Sequence, residues 1–227
     1  MKRCMAGHRR WRGAAVTLYD RRMADEMTRD AGTLDFYATE APVYTASGPG
    51  GVSRFLAAFM DRLPAGAKVL ELGCGGGRDS AAMLDAGFDV RPTDGVAEIA
   101  QQACKRLGRP VSVMRFDELE DVSVFDAIWA NASLLHVPRA GLPDVLSGIH
   151  RALKPGGLHF ANFKAGGREG RDEHGRYFNY LSLEQMLSFY REAGDWEVVD
   201  SFEYLGGGYQ HGKIPWVAAT VRKPLVP

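Results

Sequence analysis

A single acid followed by alternating glycines, Glu71-Leu72-Gly73-Cys74-Gly75-Gly76-Gly77, is the stretch of this 227-residue chain best suited by residue type and spacing to hold a ligand. Glycines accept positive φ and let a ligand approach the main chain, and the free N–H groups of a following helix attract electron-rich atoms. A dinucleotide fingerprint needs a further glycine where Arg78 stands. A carboxylate at the loop entrance also repels a pyrophosphate and attracts an ammonium group. The stretch therefore points to a nucleoside-type ligand that is positively charged and free of phosphate. Asp94, about twenty residues beyond the loop, stands where a ribose lies in such units, since one carboxylate can accept from two adjacent hydroxyls. It is equally an N-cap for the helix that follows, and the spacing is shared with nucleotide-binding dehydrogenases.

The elements that must position these residues follow from the apolar periodicity. Ala67 to Leu72 is short and apolar, as a strand buried on both faces is, and Ala81, Ala82, Leu84 and Ala86 repeat in helical spacing up to a Gly87 cap. Phe88 to Asp94 reads as a second strand, Val96 to Leu107 as a helix, and Val111 to Met114 as a third strand. Phe125 to Ala130 is a fourth strand that opens into small polar residues. A helix from Leu142 to Leu153 is stopped by Lys154-Pro155-Gly156-Gly157, and Leu158 to Phe163 is a fifth strand. Ser182 and Gln185 form a capping start for a helix to Ala193, and Trp196 to Tyr204 with Trp216 to Arg222 make a closing antiparallel pair. Ahead of the first strand, Val52, Phe55, Leu56, Phe59, Met60 and Leu63 predict a helix over residues 51–63, and Thr33 to Tyr44 a helical turn ending near Pro42.

The acid-x-Gly-x-Gly-x-Gly series resembles the first motif of the class I S-adenosylmethionine-dependent methyltransferases. Phe125-Asp126-Ala127-Ile128-Trp129-Ala130, then Ser133-Leu134-Leu135-His136-Val137-Pro138 and Ile149-His150-Arg151-Ala152-Leu153-Lys154-Pro155-Gly156-Gly157, are similar to the small tellurite-resistance-type members. The likeness runs in register from Val69 to Lys164. It implies an α/β, Rossmann-like, seven-stranded and mostly parallel sheet with helices on both faces and an antiparallel C-terminal hairpin. It implies S-adenosylmethionine as cofactor, with Glu71 and the glycine backbone at Gly73 and Gly75 at its methionine part, Asp94 at the ribose, Phe116 and Asp117 at the adenine, and Cys74, Arg78 and Gly95 also among the residues that bind it. Backbone from Ala130 through Asn131 to Ala132 would touch the methionine, and Tyr37 and Tyr44 would belong to a lid over residues 31–64. Each assignment has a structural counterpart: Asp117 also suits a cap of the turn Glu118 to Asp121, and the two tyrosines also suit core packing. His136 would face the acceptor as a general base, or serve as a structural hydrogen-bonding histidine. The long polar loop after the fifth strand suggests an acceptor mouth built by Lys164, Arg171, Tyr177 and Tyr180, or a solvated hairpin.

Bulk composition narrows the class. Lysine and arginine number 28 and so do aspartate and glutamate, so no global field draws the chain to nucleic acid or membrane. Cys4, Cys74 and Cys104 show neither paired metal spacing nor a disulfide framework, which fits a reducing cytoplasm. No apolar run reaches the roughly 20 residues of a membrane helix. Residues 1–30 read as a basic tail before a single domain over 31–227, with Met23 or Met27 as the expected start. A small-molecule acceptor is expected. The basic tail keeps tRNA in play, whereas a nicotinamide-dependent oxidoreductase or a non-enzymatic nucleoside-binding module fits the loop less well. The Asn/Asp-Pro-Pro-Tyr/Phe motif of amino-directed DNA methyltransferases and the cysteine motif of pyrimidine C5 enzymes are both missing.

Overall fold

The apolar run before Glu71 forms β1 (Lys68–Leu72), and the chain then alternates between strands and helices. The computed structural model describes residues 27–47, 51–207 and 212–225. Helix α1 (Ala31–Ser47) and the short α2 (Leu56–Met60) precede β1. After it come α3 (Arg78–Asp85), β2 (Asp89–Asp94), α4 (Ala97–Leu107), β3 (Ser112–Val113) and β4 (Phe125–Ala130). Then follow α5 (Leu142–Ala152), β5 (Leu153–Lys164), the small hairpin β6 (Glu169–Arg171) and β7 (Tyr177–Asn179), α6 (Leu183–Ala193), β8 (Glu197–Gly206) and β9 (Ile214–Arg222).

Seven strands form one sheet in the order β3-β2-β1-β4-β5-β9-β8. The pairs from β3 to β5 are parallel, and β9 runs antiparallel to both β5 and β8. Strand order reverses between β1 and β4, and the crevice beyond the carboxyl ends of those two strands is where open α/β sheets bind ligands.

The period of two along each strand distributes side chains between two layers. Val69, Ala127, Trp129 and Phe160 pack with Leu56 and Phe59 of α2 and Met83 of α3. Leu70, Ile128, Ala130 and Phe163 face the other way, against Val145 and Ile149 of α5 and Met186 and Tyr190 of α6. The expected capping box on α6 is formed: Gln185 N–H donates to Ser182 Oγ at 3.2 Å, and Ser182 N–H to Gln185 Oε1 at 3.0 Å.

Two expectations need correction. Helix α1 runs through Pro42 instead of ending there, because Ala41 is buried against Val96 and Ile99 and that packing holds the helix where one hydrogen bond is lost. The helix expected over residues 51–63 shrinks to α2, which begins three residues after Ser53, whose N–H donates to the Asp79 carboxylate at 2.7 Å and whose carbonyl accepts from Leu56 N–H at 3.0 Å. Ahead of α1, Asp30 accepts from Thr33 N–H at 2.8 Å, and the Met27 carbonyl passes so close to Gly141 that a Cβ there would clash with it. Residues 1–26, including Met23, and residues 208–211 of the β8–β9 connection lie outside the described residues.

Candidate active site

Two joined cavities open over the carboxyl ends of β1, β2, β4 and β5. The smaller, about 100 Å³, lies beside β2 among Gly95, Val96, Ile99 and Phe116. The larger, about 570 Å³, extends from Glu71 and Asp79 to Lys164 and Phe178 at the end of β5. Tyr37, Tyr44, Gly73, Gly75, Ala132 and His136 border both, so the two form one groove roofed by α1.

The glycine turn has the form that its spacing requires. Gly73 has φ 75°, and a Cβ on it would stand 2.5 Å from Ser133 Cβ, so glycine is needed for backbone conformation and for space alike. Gly75 N–H donates to Asp94 Oδ2 at 3.0 Å, while Asp94 Oδ1 accepts from Val96 N–H at 3.0 Å. Asp94 thus ties the turn to the entrance of α4 and still lines the groove. Burial raises its pKa to about 6.

Two more acids border the larger cavity. Glu71 is 3 % exposed and accepts from Ser80 Oγ; burial, then the neighbouring Asp79, holds its carboxyl well above the usual range. Asp79 accepts from Trp129 Nε1 at 2.9 Å and Asn131 Nδ2 at 3.4 Å, and burial raises its pKa too. Among the described residues, no lysine or arginine forms an ion pair with Glu71, Asp79 or Asp94. Buried carboxylates without a counterion suit a cationic ligand. At the end of β4, Ala132 has φ 53°, unusual for a residue with a side chain, and its N–H donates to Asn162 Oδ1. Ser133 Oγ is buried, borders the smaller cavity and has no hydrogen-bond partner.

His136 stands between the cavities. Its Nδ1 lies 2.7 Å from the Tyr177 carbonyl, which can only accept, so Nδ1 carries the proton. Nε2 is therefore the acceptor for the Tyr37 hydroxyl at 3.0 Å, and that oxygen accepts in turn from Arg176 Nη1 at 3.1 Å. Burial lowers the His136 pKa to about 4, leaving it neutral at physiological pH. Arg176, 3 % exposed, is held by Asp172 through Nε at 3.0 Å and Nη2 at 2.7 Å.

Of the residues singled out in the sequence, Tyr37, Tyr44, Glu71, Gly73, Cys74, Gly75, Arg78, Asp94, Gly95, Phe116, Asn131, Ala132, His136 and Lys164 border the groove. Five do not. Ala130 is fully buried within β4, paired with Ala161. Asp117 turns to Thr28 Oγ1 at 2.9 Å and to Arg115. Arg171 pairs with Asp30 at 2.6 Å on the outside of the hairpin. The Tyr177 hydroxyl donates to Glu169 at 2.6 Å, so only its carbonyl serves the site, through His136. Tyr180 borders neither cavity, and its carbonyl accepts from Arg139 at 3.0 Å. Sequence reasoning missed Asp79, Ser133 and Arg176. Asp79 and Ser133 each adjoin a motif that was recognised, whereas Arg176 carried no signal beyond its place in a polar loop.

Known proteins agree with this arrangement. A family model described as a methyltransferase domain matches residues 69–157. The ubiquinone biosynthesis O-methyltransferase of Pseudomonas syringae pv. tomato is 39 % identical over 103 residues, 42 % of this chain and 44 % of that one. The chain spans about half the length of the curated relatives it matches. Among solved structures, the 1,6-didemethyltoxoflavin-N1-methyltransferase of Burkholderia thailandensis, with 1,6-didemethyltoxoflavin and S-adenosylhomocysteine bound, superposes with TM-score 0.72 at 22 % identity, covering 86 % of this chain and 88 % of that one. A TehB-like S-adenosylmethionine-dependent methyltransferase of Corynebacterium glutamicum gives TM-score 0.62 at 22 % identity, covering 86 % and 100 %. At that identity the structural likeness concerns the fold. Residues 69–157 thus match a methyltransferase domain, and the chain shares its fold with S-adenosylmethionine-dependent methyltransferases.

Proposed function

We propose that this chain transfers a methyl group from S-adenosylmethionine to a small-molecule acceptor by in-line displacement. The observation that carries the reading is the set of three buried acids, Glu71, Asp79 and Asp94, around a glycine turn with no lysine or arginine paired to them. Such a set suits an ammonium and a ribose and opposes a pyrophosphate. The unpartnered Ser133 hydroxyl, which borders the groove beside Gly73, also fits a ligand lying along the turn.

Bound S-adenosylmethionine supplies a methyl group already activated by the sulfonium charge. The protein then has to orient, exclude water and accept a proton where the acceptor loses one. In this reading Glu71 and Asp79 hold the ammonium, Asp94 the ribose hydroxyls, and Phe116 walls the adenine. Tyr37 and Tyr44 of α1 close the groove as a lid, within a single domain that begins by residue 27. His136 serves as base by way of Tyr37: the hydroxyl passes its proton to Nε2, to which it already donates, and takes the proton that the acceptor loses. The solved neighbour that binds 1,6-didemethyltoxoflavin supports an acceptor of small-molecule size. Incubation of the full chain with methyl-labelled cofactor and either a metabolite extract or bulk tRNA tests this. Label is expected in a small molecule, and label confined to tRNA would overturn the choice of acceptor.

A further inference from the structure

The larger cavity is lined by Glu71 and Asp79 and by Arg54, Arg78, Lys164 and Arg176, the last two at its end over β5, on the far side of β4 from β2. Arg54 donates to the Leu205 carbonyl and Arg78 to that of Thr45. Arg176 is already matched by Asp172. Lys164 is half-buried, with Nζ 3.6 Å from the centre of the Phe178 ring, and among the described residues no carboxylate lies within ion-pair distance of it. Burial and the like charge of Arg176 both disfavour its ammonium form. Ring stacking alone compensates such a group weakly. The walls beside it, Phe178, Trp216 and Leu135, are apolar. An anionic group on an apolar body would give Lys164 a counterion and fill the space next to it.

Resting on the methyl-transfer reading, we propose that the acceptor is a small organic carboxylate, its anionic end received by Lys164 and its apolar body laid against Phe178 and Trp216. In that arrangement the acids meet the cationic cofactor and Lys164 meets the anionic acceptor.

Calorimetry on the full chain tests this in two stages. The first titrates S-adenosylhomocysteine, and no binding there refutes the methyl-transfer reading itself. The second, on protein saturated with S-adenosylhomocysteine, compares benzoate with benzamide, indole-3-acetate with indole-3-acetamide, and hexanoate with hexanamide. A charge-assisted hydrogen bond corresponds to roughly tenfold or more, so at least one acid is expected to bind by that ratio more tightly than its amide. Lys164→Met should bring the ratio close to one and Lys164→Arg should keep it, with S-adenosylhomocysteine affinity unchanged in both. If no acid outbinds its amide in any pair, absence of binding included, or if Lys164→Met keeps the ratio, the anionic acceptor is refuted while the cofactor assignment stands.

Discussion

Replacing Gly73 by alanine separates two demands made on one residue. Its φ of 75° lies in the left-handed region, which costs an L-residue about 1–2 kcal/mol. The new methyl would stand 2.5 Å from Ser133 Cβ, and such overpacking costs about 1–3 kcal/mol more. Gly73→Ala should therefore lose roughly 2–5 kcal/mol in urea unfolding. Adding Ser133→Gly removes the clashing atom and should recover the steric part only, a coupling of about 1–3 kcal/mol in the double-mutant cycle. The same variants titrated with S-adenosylhomocysteine should lose affinity, since Gly73 and Ser133 both border the groove. A loss below about 0.5 kcal/mol, the range of an ordinary surface change, or a coupling near zero would refute the account of the turn.

Other perturbations follow from the same geometry. Glu71 holds its proton to higher pH when folded than when unfolded, so it lowers stability progressively as pH rises above its ordinary range. Glu71→Gln should unfold at higher urea than the wild type at pH 8, with the gap closing in acid, while cofactor affinity falls. His159, fully buried in β5, is lowered from 6.5 to about 4, so the stability it confers is present above pH 6.5 and lost as pH falls towards 4, roughly 3 kcal/mol in all. Urea midpoints of His159→Leu between pH 7 and 4 should decline less steeply than those of the wild type. Arg171→Ala cuts the exposed tie from the hairpin to Asp30 ahead of α1, worth about 0.2–1 kcal/mol, and calorimetry should show cofactor affinity weakened by no more than about fivefold.

Local signals made much of this molecule legible. The strand before Glu71, the alternating glycines and the acid at Asp94 are adjacent in sequence to the turns they build, so spacing alone located the glycine-turn end of the groove. The capping pair Ser182 and Gln185 was readable for the same reason. What escaped depends on distant partners. Pro42 stays helical because Val96 and Ile99 hold α1 from outside, and Ser53 is tied by its N–H to Asp79, 26 residues away. Arg171, Tyr177 and Tyr180 were chosen for residue type in a polar loop, but strand alternation turns Tyr177 away from the groove, and Tyr180 stands past the end of β7. The face turned to the groove carries Arg176 and Phe178, and the chosen residues make contacts elsewhere. Asp117 was assigned by family likeness, and only the fold brings Thr28 within reach of it.

The sign of the charge around the glycine turn is the central claim, and paired calorimetric titrations of the full chain with S-adenosylhomocysteine and with NAD test it most directly. Saturable heat with the first and none with the second is the predicted result. Binding of NAD with indifference to S-adenosylhomocysteine would contradict it.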